Sequence, residues 1–215
     1  MNRPLLICDC DEVLLHMVRH FGVWLREHHD IAFDASEGNF AMTRADGSAL
    51  PGPEMWALLD GFFPAEMSRQ TLVPHAREAL AEIARTADIV ILTNLGDHCR
   101  DARIAQLAEH GIAHRVETNQ GGKGTPVARL VAEYAPSVTV FVDDLATHHK
   151  SVAEHVPGVH RLHMVSEPDL APKITTSRHA NARIDDWRDA AVWIADRFAA
   201  GVPADTPIPT QGDQP

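Results

Sequence analysis

The chain has 215 residues, 45% of them hydrophobic, and a formal net charge of −11. That length suits one compact domain or a domain with an insert, and the charge argues against nucleic acid as a general partner, because binding a phosphate backbone takes basic surface. No apolar run approaches the roughly 18 residues of a membrane helix, and Met1–Ile7 lacks an export signal's apolar stretch and cleavage site. The cysteines Cys8, Cys10 and Cys99 offer no paired framework. The expectation is a cytoplasmic protein with no membrane partner.

In chain order, Pro4 to Cys8 reads as a strand buried on both faces, followed at once by Asp9 and Asp11. Leu14, Met17, Val18, Phe21 and Leu25 repeat at helical spacing. Residues 39–50 contain an Asp46-Gly47 turn, and 54–63 form a short apolar helix. A regular alternation follows: a helix over 75–86, a strand over 88–93 and a helix from Asp97 to 110, stopped by Gly111. Thr125 and Pro126 read as N-cap and first residue of a helix over 126–134. A strand over 138–142, a helix over 147–156, a strand over 159–165 and a closing helix over 185–199 complete the pattern. Such alternation predicts an α/β fold, a three-layer Rossmann-like parallel sheet formed by residues 1–14 and 73–200. Residues 15–72 break the pattern and are expected to form a small, mainly helical cap inserted after the first strand. The Pro-, Gly-, Gln- and Asp-rich residues 201–215 read as a disordered tail.

Side chains alternate along a strand, so Asp9 and Asp11 face one site. Crowded carboxylates demand a cation or a retained proton. Thr93 ends the strand ILT and Asn94 follows it, Lys123 lies in the loop GGKGTP ahead of a helix, and Asp143 and Asp144 follow the strand VFV. All lie at strand C-termini or before a helix start, and in a parallel sheet those ends share one edge. Hydroxyl, amine and four carboxylates together suit a divalent cation, an anionic phosphate and a nucleophile. GGKGT is not a P-loop: its first glycine is missing and Gly124 follows Lys123.

These positions, in this order, resemble the four motifs of the haloacid dehalogenase superfamily of aspartate-nucleophile hydrolases: Asp9-Cys10-Asp11, Thr93, Lys123 and Asp143-Asp144. The resemblance covers residues 3–165, with the insert where the family carries a C1-type cap. It implies Mg²⁺-dependent hydrolysis of a small phosphorylated metabolite. Asp9 would be the nucleophile and Asp11 the acid and base. Thr93 and the Asn94 backbone N–H would bind phosphate oxygens, and Lys123 would neutralise the phosphoryl charge. Asp9, the Asp11 carbonyl, Asp143 and Asp144 would hold Mg²⁺.

Two positions depart from the family. Glu12 stands where Gly usually follows the second aspartate, and His148 replaces an acid or amide after motif four. Asp11 argues against the dehalogenase branch, since displacing halide needs no proton donor. A phosphomutase shares the phosphoryl-aspartate step. A receiver-type signalling module also combines acids, Thr and Lys, but has neither the insert nor this acid placement. The 14 histidines lack zinc spacing and read as surface residues. Trp24, Phe40, Trp56, Phe62 and Phe63 read as cap core. Arg19, Trp24, Arg44 and Arg69 are the expected pocket residues.

Overall fold

A computed structural model describes residues 2–34 and 41–204. Its centre is a six-stranded, all-parallel sheet: β1 (Leu5–Cys8), β6 (Asp88–Thr93), β7 (Arg115–Thr118), β8 (Thr139–Asp143), β9 (His160–His163) and β10 (Ala182–Arg183), ordered β10-β9-β8-β1-β6-β7. Strand β1 is buried throughout because both its faces are covered. Leu5 and Ile7 point toward α5 (Gly124–Tyr134) and α6 (Ala146–His155), packing with Val127, Leu130 and Val152. Leu6 and Cys8 point the other way, toward α3 (Ala76–Ile83), α4 (Arg100–Glu109) and α7 (Trp187–Ala200), packing with Leu80, Leu107 and Ile194. This alternation yields three layers.

Register positions the site. Cys8 pairs with Ile91 on β6 and Val142 on β8, so Asp9 emerges between the ends of those strands, its N–H donating to Val142 O at 2.9 Å. The chain builds β6 and β7 on one side of β1 and then crosses to build β8 to β10 on the other. Ligands of open α/β sheets bind at such a reversal.

Between β1 and α3 the chain forms β2 (Leu15–His16), α1 (Val18–His29), β3 (Ile31–Asp34), β4 (Ala41–Arg44), α2 (Gly52–Glu66) and β5 (Thr71–Leu72). Strands β2 and β5 pair antiparallel at the segment's base, and β3 and β4 form a hairpin. Phe21, Trp24, Leu25, Phe62 and Phe63 build an apolar cluster there with Leu95 and Cys99.

Several sequence expectations shift. The helix expected from Leu14 starts at Val18, because Glu12 Oε1 accepts the N–H groups of Met17 and Val18 at 2.7 and 2.6 Å and caps it there. The Asp46-Gly47 turn is present, with Gly47 at φ +84° and Asp46 Oδ1 accepting from Ser48 N–H, but it follows the unforeseen strand β4. Thr125 is not an N-cap. Helix α5 starts at Gly124, whose N–H is satisfied by Ser151 Oγ of α6 at 2.9 Å. Only glycine fits there, since a Cβ would lie 2.3 Å from Ser151 O. Strands β7 and β10 were not foreseen. Residues 201–204 follow α7, and Ala204 N–H donates to Gly158 O; the rest of the expected tail, from 205, lies outside the described residues. Among those described, no helix is long and apolar enough to cross a membrane.

Candidate active site

The loop after β1 turns sharply: the N–H groups of Val13, Leu14 and Leu15 all point to Cys10 O. Glu12 sits at φ 58°, in the left-handed region where glycine is favoured. The turn therefore keeps the conformation a glycine would supply, and the Glu12 side chain is used to cap α1.

Lys123 is completely buried, with its Nζ 2.7 Å from Asp9 Oδ1 and 2.7 Å from Asp143 Oδ2. Asp143 Oδ1 accepts the Leu145 N–H. Carboxylate oxygens of Asp9, Asp143 and Asp144 lie within 4.8 Å of one another. Burial pushes the Asp9 carboxyl up to about 7 against the pull of Lys123, with Asp143 and Asp11 adding to the rise. Burial, Asp143 and Asp9 hold Asp144 well above its ordinary value. Burial also works upward on Asp143, but Lys123 and the rings of His148 and His149 outweigh it and its pKa falls. One ammonium thus serves two carboxylates, and the third has none. That all-oxygen, charge-deficient donor set fits a hard divalent cation.

Asp11 is held by other partners. Arg103 Nη2 donates to both its oxygens at 2.9 and 3.1 Å, Gln70 Nε2 donates at 3.1 Å, and the Thr93 hydroxyl approaches at 3.4 Å. Arg103 is fully buried on α4, with Gln106 one turn on, and Gln106 Nε2 reaches Gln70. Sequence reasoning missed Arg103, Gln106 and Gln70. The available signal was two polar residues, three apart, on the buried face of α4 that also carries Leu107.

Asp9, Asp11 and Asp144 floor a cavity of about 230 Å³, with Asn94 and His148 beside them. Thr93 and Lys123 are completely buried behind this surface. The Asn94 side chain bridges loops, donating to Gly121 O at 2.9 Å and accepting from Asn119 Nδ2 at 2.9 Å. A second ligand-like group, Glu12, His16 and Glu167, is also buried, but Glu12 caps α1 and Arg19 grips Glu167 at 2.6 and 2.8 Å.

None of the expected pocket residues, Arg19, Trp24, Arg44 and Arg69, lines the cavity. Arg19 pairs with Glu167, Arg44 with Glu54, and Arg69 with Glu66 at 2.9 Å. Trp24, Phe62 and Phe63 are core, as expected, but Trp56 is exposed; Phe40 lies outside the described residues. The histidines are not all on the surface. His148, His149, His160 and His163 are buried. The Nε2 atoms of His149 and His163 contact the carbonyls of Asp143 and Asp144 at 2.9 and 2.7 Å, bracing the acidic loop.

No protein-family model matches the sequence, and no curated protein matches it. Solved structures do share its architecture. A haloacid dehalogenase-like hydrolase from Streptococcus pneumoniae superposes with a TM-score of 0.62 at 11% identity, over 88% of this chain and 97% of that one. A HAD family hydrolase from Deinococcus radiodurans, with bound phosphate and sodium, gives 0.62 at 15% identity, over 93% and 98%. A predicted phosphoglycolate phosphatase from Haemophilus somnus gives 0.62 at 14% identity, over 89% and 97%. By architecture, the chain has the fold of the haloacid dehalogenase-like hydrolases.

Proposed function

We propose that the protein is a cytoplasmic, Mg²⁺-dependent hydrolase of a small phosphomonoester, working through an aspartyl-phosphate, with residues 15–72 acting as its cap. The observation that carries this reading is the buried Lys123 bridging Asp9 and Asp143, with Asp144 beside them, under a cavity that Asp9 and Asp11 also line.

An Asp9 oxygen attacks phosphorus, and the bond from phosphorus to the ester oxygen breaks. Asp11 gives that oxygen a proton, so an alcohol leaves. Asp11 then takes a proton from water, whose oxygen attacks the phosphorus of the aspartyl-phosphate, releasing inorganic phosphate and restoring Asp9. Lys123 holds Asp9 in place and offsets negative charge. The Asn94 N–H serves the phosphoryl oxygens, with the buried Thr93 hydroxyl behind the cavity surface, 3.4 Å from Asp11. Held by Asp9, the Asp11 carbonyl, Asp143 and Asp144, Mg²⁺ would supply charge neutralisation that one lysine cannot.

The test is phosphate release from a panel of phosphomonoesters, with EDTA and with Mg²⁺ restored. Metal-dependent release is expected. Full activity without metal would overturn the cofactor assignment, and transfer of the phosphoryl group back to substrate without free phosphate would make the chain a mutase.

A further inference from the structure

Resting on the phosphomonoesterase reading, we infer that the substrates are monoesters of apolar alcohols, whose hydrocarbon group sits in the cavity above Asp9. The cavity is lined by two chemically distinct sets of side chains. The polar set is Asp9, Asp11, Glu12, Asn94, Asp144 and His148; the apolar set includes Phe21 from α1, Phe33 and Met42 from the hairpin, and Met55, Leu59 and Phe63 from α2. Among the described residues lining it there is no lysine or arginine. The arginines of this segment that were expected to reach it are committed to Glu167, Glu54 and Glu66. A carboxylate or second phosphate on the leaving group would find no cation. Sugar hydroxyls placed against the apolar set would be desolvated without partners there.

Size and entrance agree. An apolar cavity of about 150 Å³ suffices for benzene, so about 230 Å³ accepts an aryl-methyl or branched alkyl group. The cavity shares Trp56, Leu59, Phe63, Asn94, Leu145 and His148 with a wider cleft of about 490 Å³. Trp56 and Leu145, at this shared edge, are 64% and 42% exposed, too open to serve the core. Large apolar side chains placed at an entrance suit a hydrocarbon ligand.

The test compares esters of similar alcohols, so that leaving-group reactivity does not decide the outcome: benzyl and 3-methylbutyl phosphate against glycerol 3-phosphate and phosphoglycolate, with Mg²⁺. Each buried methylene contributes roughly fourfold, so kcat/KM should favour the apolar esters by at least about a hundredfold. In Leu59→Gln and Met55→Gln, both at half-buried positions, that ratio should fall at least about tenfold. Calorimetry gives a readout independent of turnover: benzylphosphonate should bind at least about tenfold more tightly than methylphosphonate. Equal or better turnover of the polar esters would overturn this inference and leave the phosphatase reading standing. Selective binding of benzylphosphonate without turnover of any ester would uphold the apolar pocket and overturn the proposed reaction.

Discussion

Arg103, completely buried on α4, places one guanidinium nitrogen 2.9 and 3.1 Å from the two carboxylate oxygens of Asp11. The nucleophile candidate and the acid/base candidate, two residues apart in sequence, are thereby anchored to different cations: Asp9 to Lys123, Asp11 to Arg103. Arg103 lies behind the site rather than on the cavity surface. Its role is to position Asp11, and the pair should behave as a unit. Removing one partner of a buried pair costs about 3–5 kcal/mol, so Arg103→Met should lower unfolding stability by that order. Adding Asp11→Asn to Arg103→Met should cost less than the two single losses summed, by about 0.5–3 kcal/mol. Urea unfolding of the four proteins measures this, and strict additivity would show that the contact carries no energy.

Asp11→Asn tests the acid/base role directly. It keeps the side-chain shape but can neither give nor take the proton, so kcat should fall by roughly 10²–10⁴-fold. With an activated aryl phosphate, which needs little protonation, one burst of phenolate should precede the slow steady state. Stopped-flow absorbance reports the burst.

Asp144 is the carboxylate of the acidic group without a cationic partner among the described residues, raised by burial and by Asp143 and Asp9. Asp144→Asn should raise the Mg²⁺ concentration for half-maximal activity by at least about tenfold, the lower bound seen when even an outer partner of a metal ligand is lost. Saturating metal should restore much of the activity. A metal titration that matches wild type would remove Asp144 from the cation site.

Much of this arrangement was legible because of where its residues stand in the chain. Asp9, Asp143 and Thr93 each end or follow an apolar run, and strand ends of a parallel sheet meet at one edge. Arg103 and Gln70 carried no such mark, since a polar residue on a helix or between helices reads as solvated until its neighbours are known. The edge strand β7, Arg-Val-Glu-Thr, buries only Val116 fully and looks like a charged loop. The β3–β4 hairpin is built from two four-residue strands, too short for a period-two signal to stand out. The starts of α1 and α5 moved because side chains outside the helices, Glu12 six residues before Val18 and Ser151 27 residues after Gly124, satisfy their first N–H groups.

His149 predicts a pH effect. Its Nε2 donates to Asp143 O, while its buried Nδ1 has no partner, so a second proton would be stranded. Burial lowers its pKa from 6.5 to about 4. The fold therefore binds fewer protons than the unfolded chain between these values. The His149 contribution, about 3 kcal/mol, is whole above about pH 6.5 and is lost as pH falls through about 4. Asp9 and Glu12, both raised to about 7 mainly by burial, work in the opposite direction. Comparison with His149→Gln, which retains a donor for Asp143 O, isolates the histidine. The variant should lose less stability than wild type between about pH 6.5 and about pH 4. Parallel stability curves would contradict the assignment.

The most direct test of the central claim is whether Asp9 becomes phosphorylated during turnover. Wild type and Asp11→Asn, mixed with an aryl phosphate and Mg²⁺, are quenched in acid within the first turnovers, digested and analysed by mass spectrometry. The account predicts a phosphoryl group on the peptide at Asp9, accumulating in Asp11→Asn and absent from Asp9→Asn, which should also have no turnover. Steady phosphate release from Asp9→Asn, or a phosphoryl group found on another residue, would contradict it.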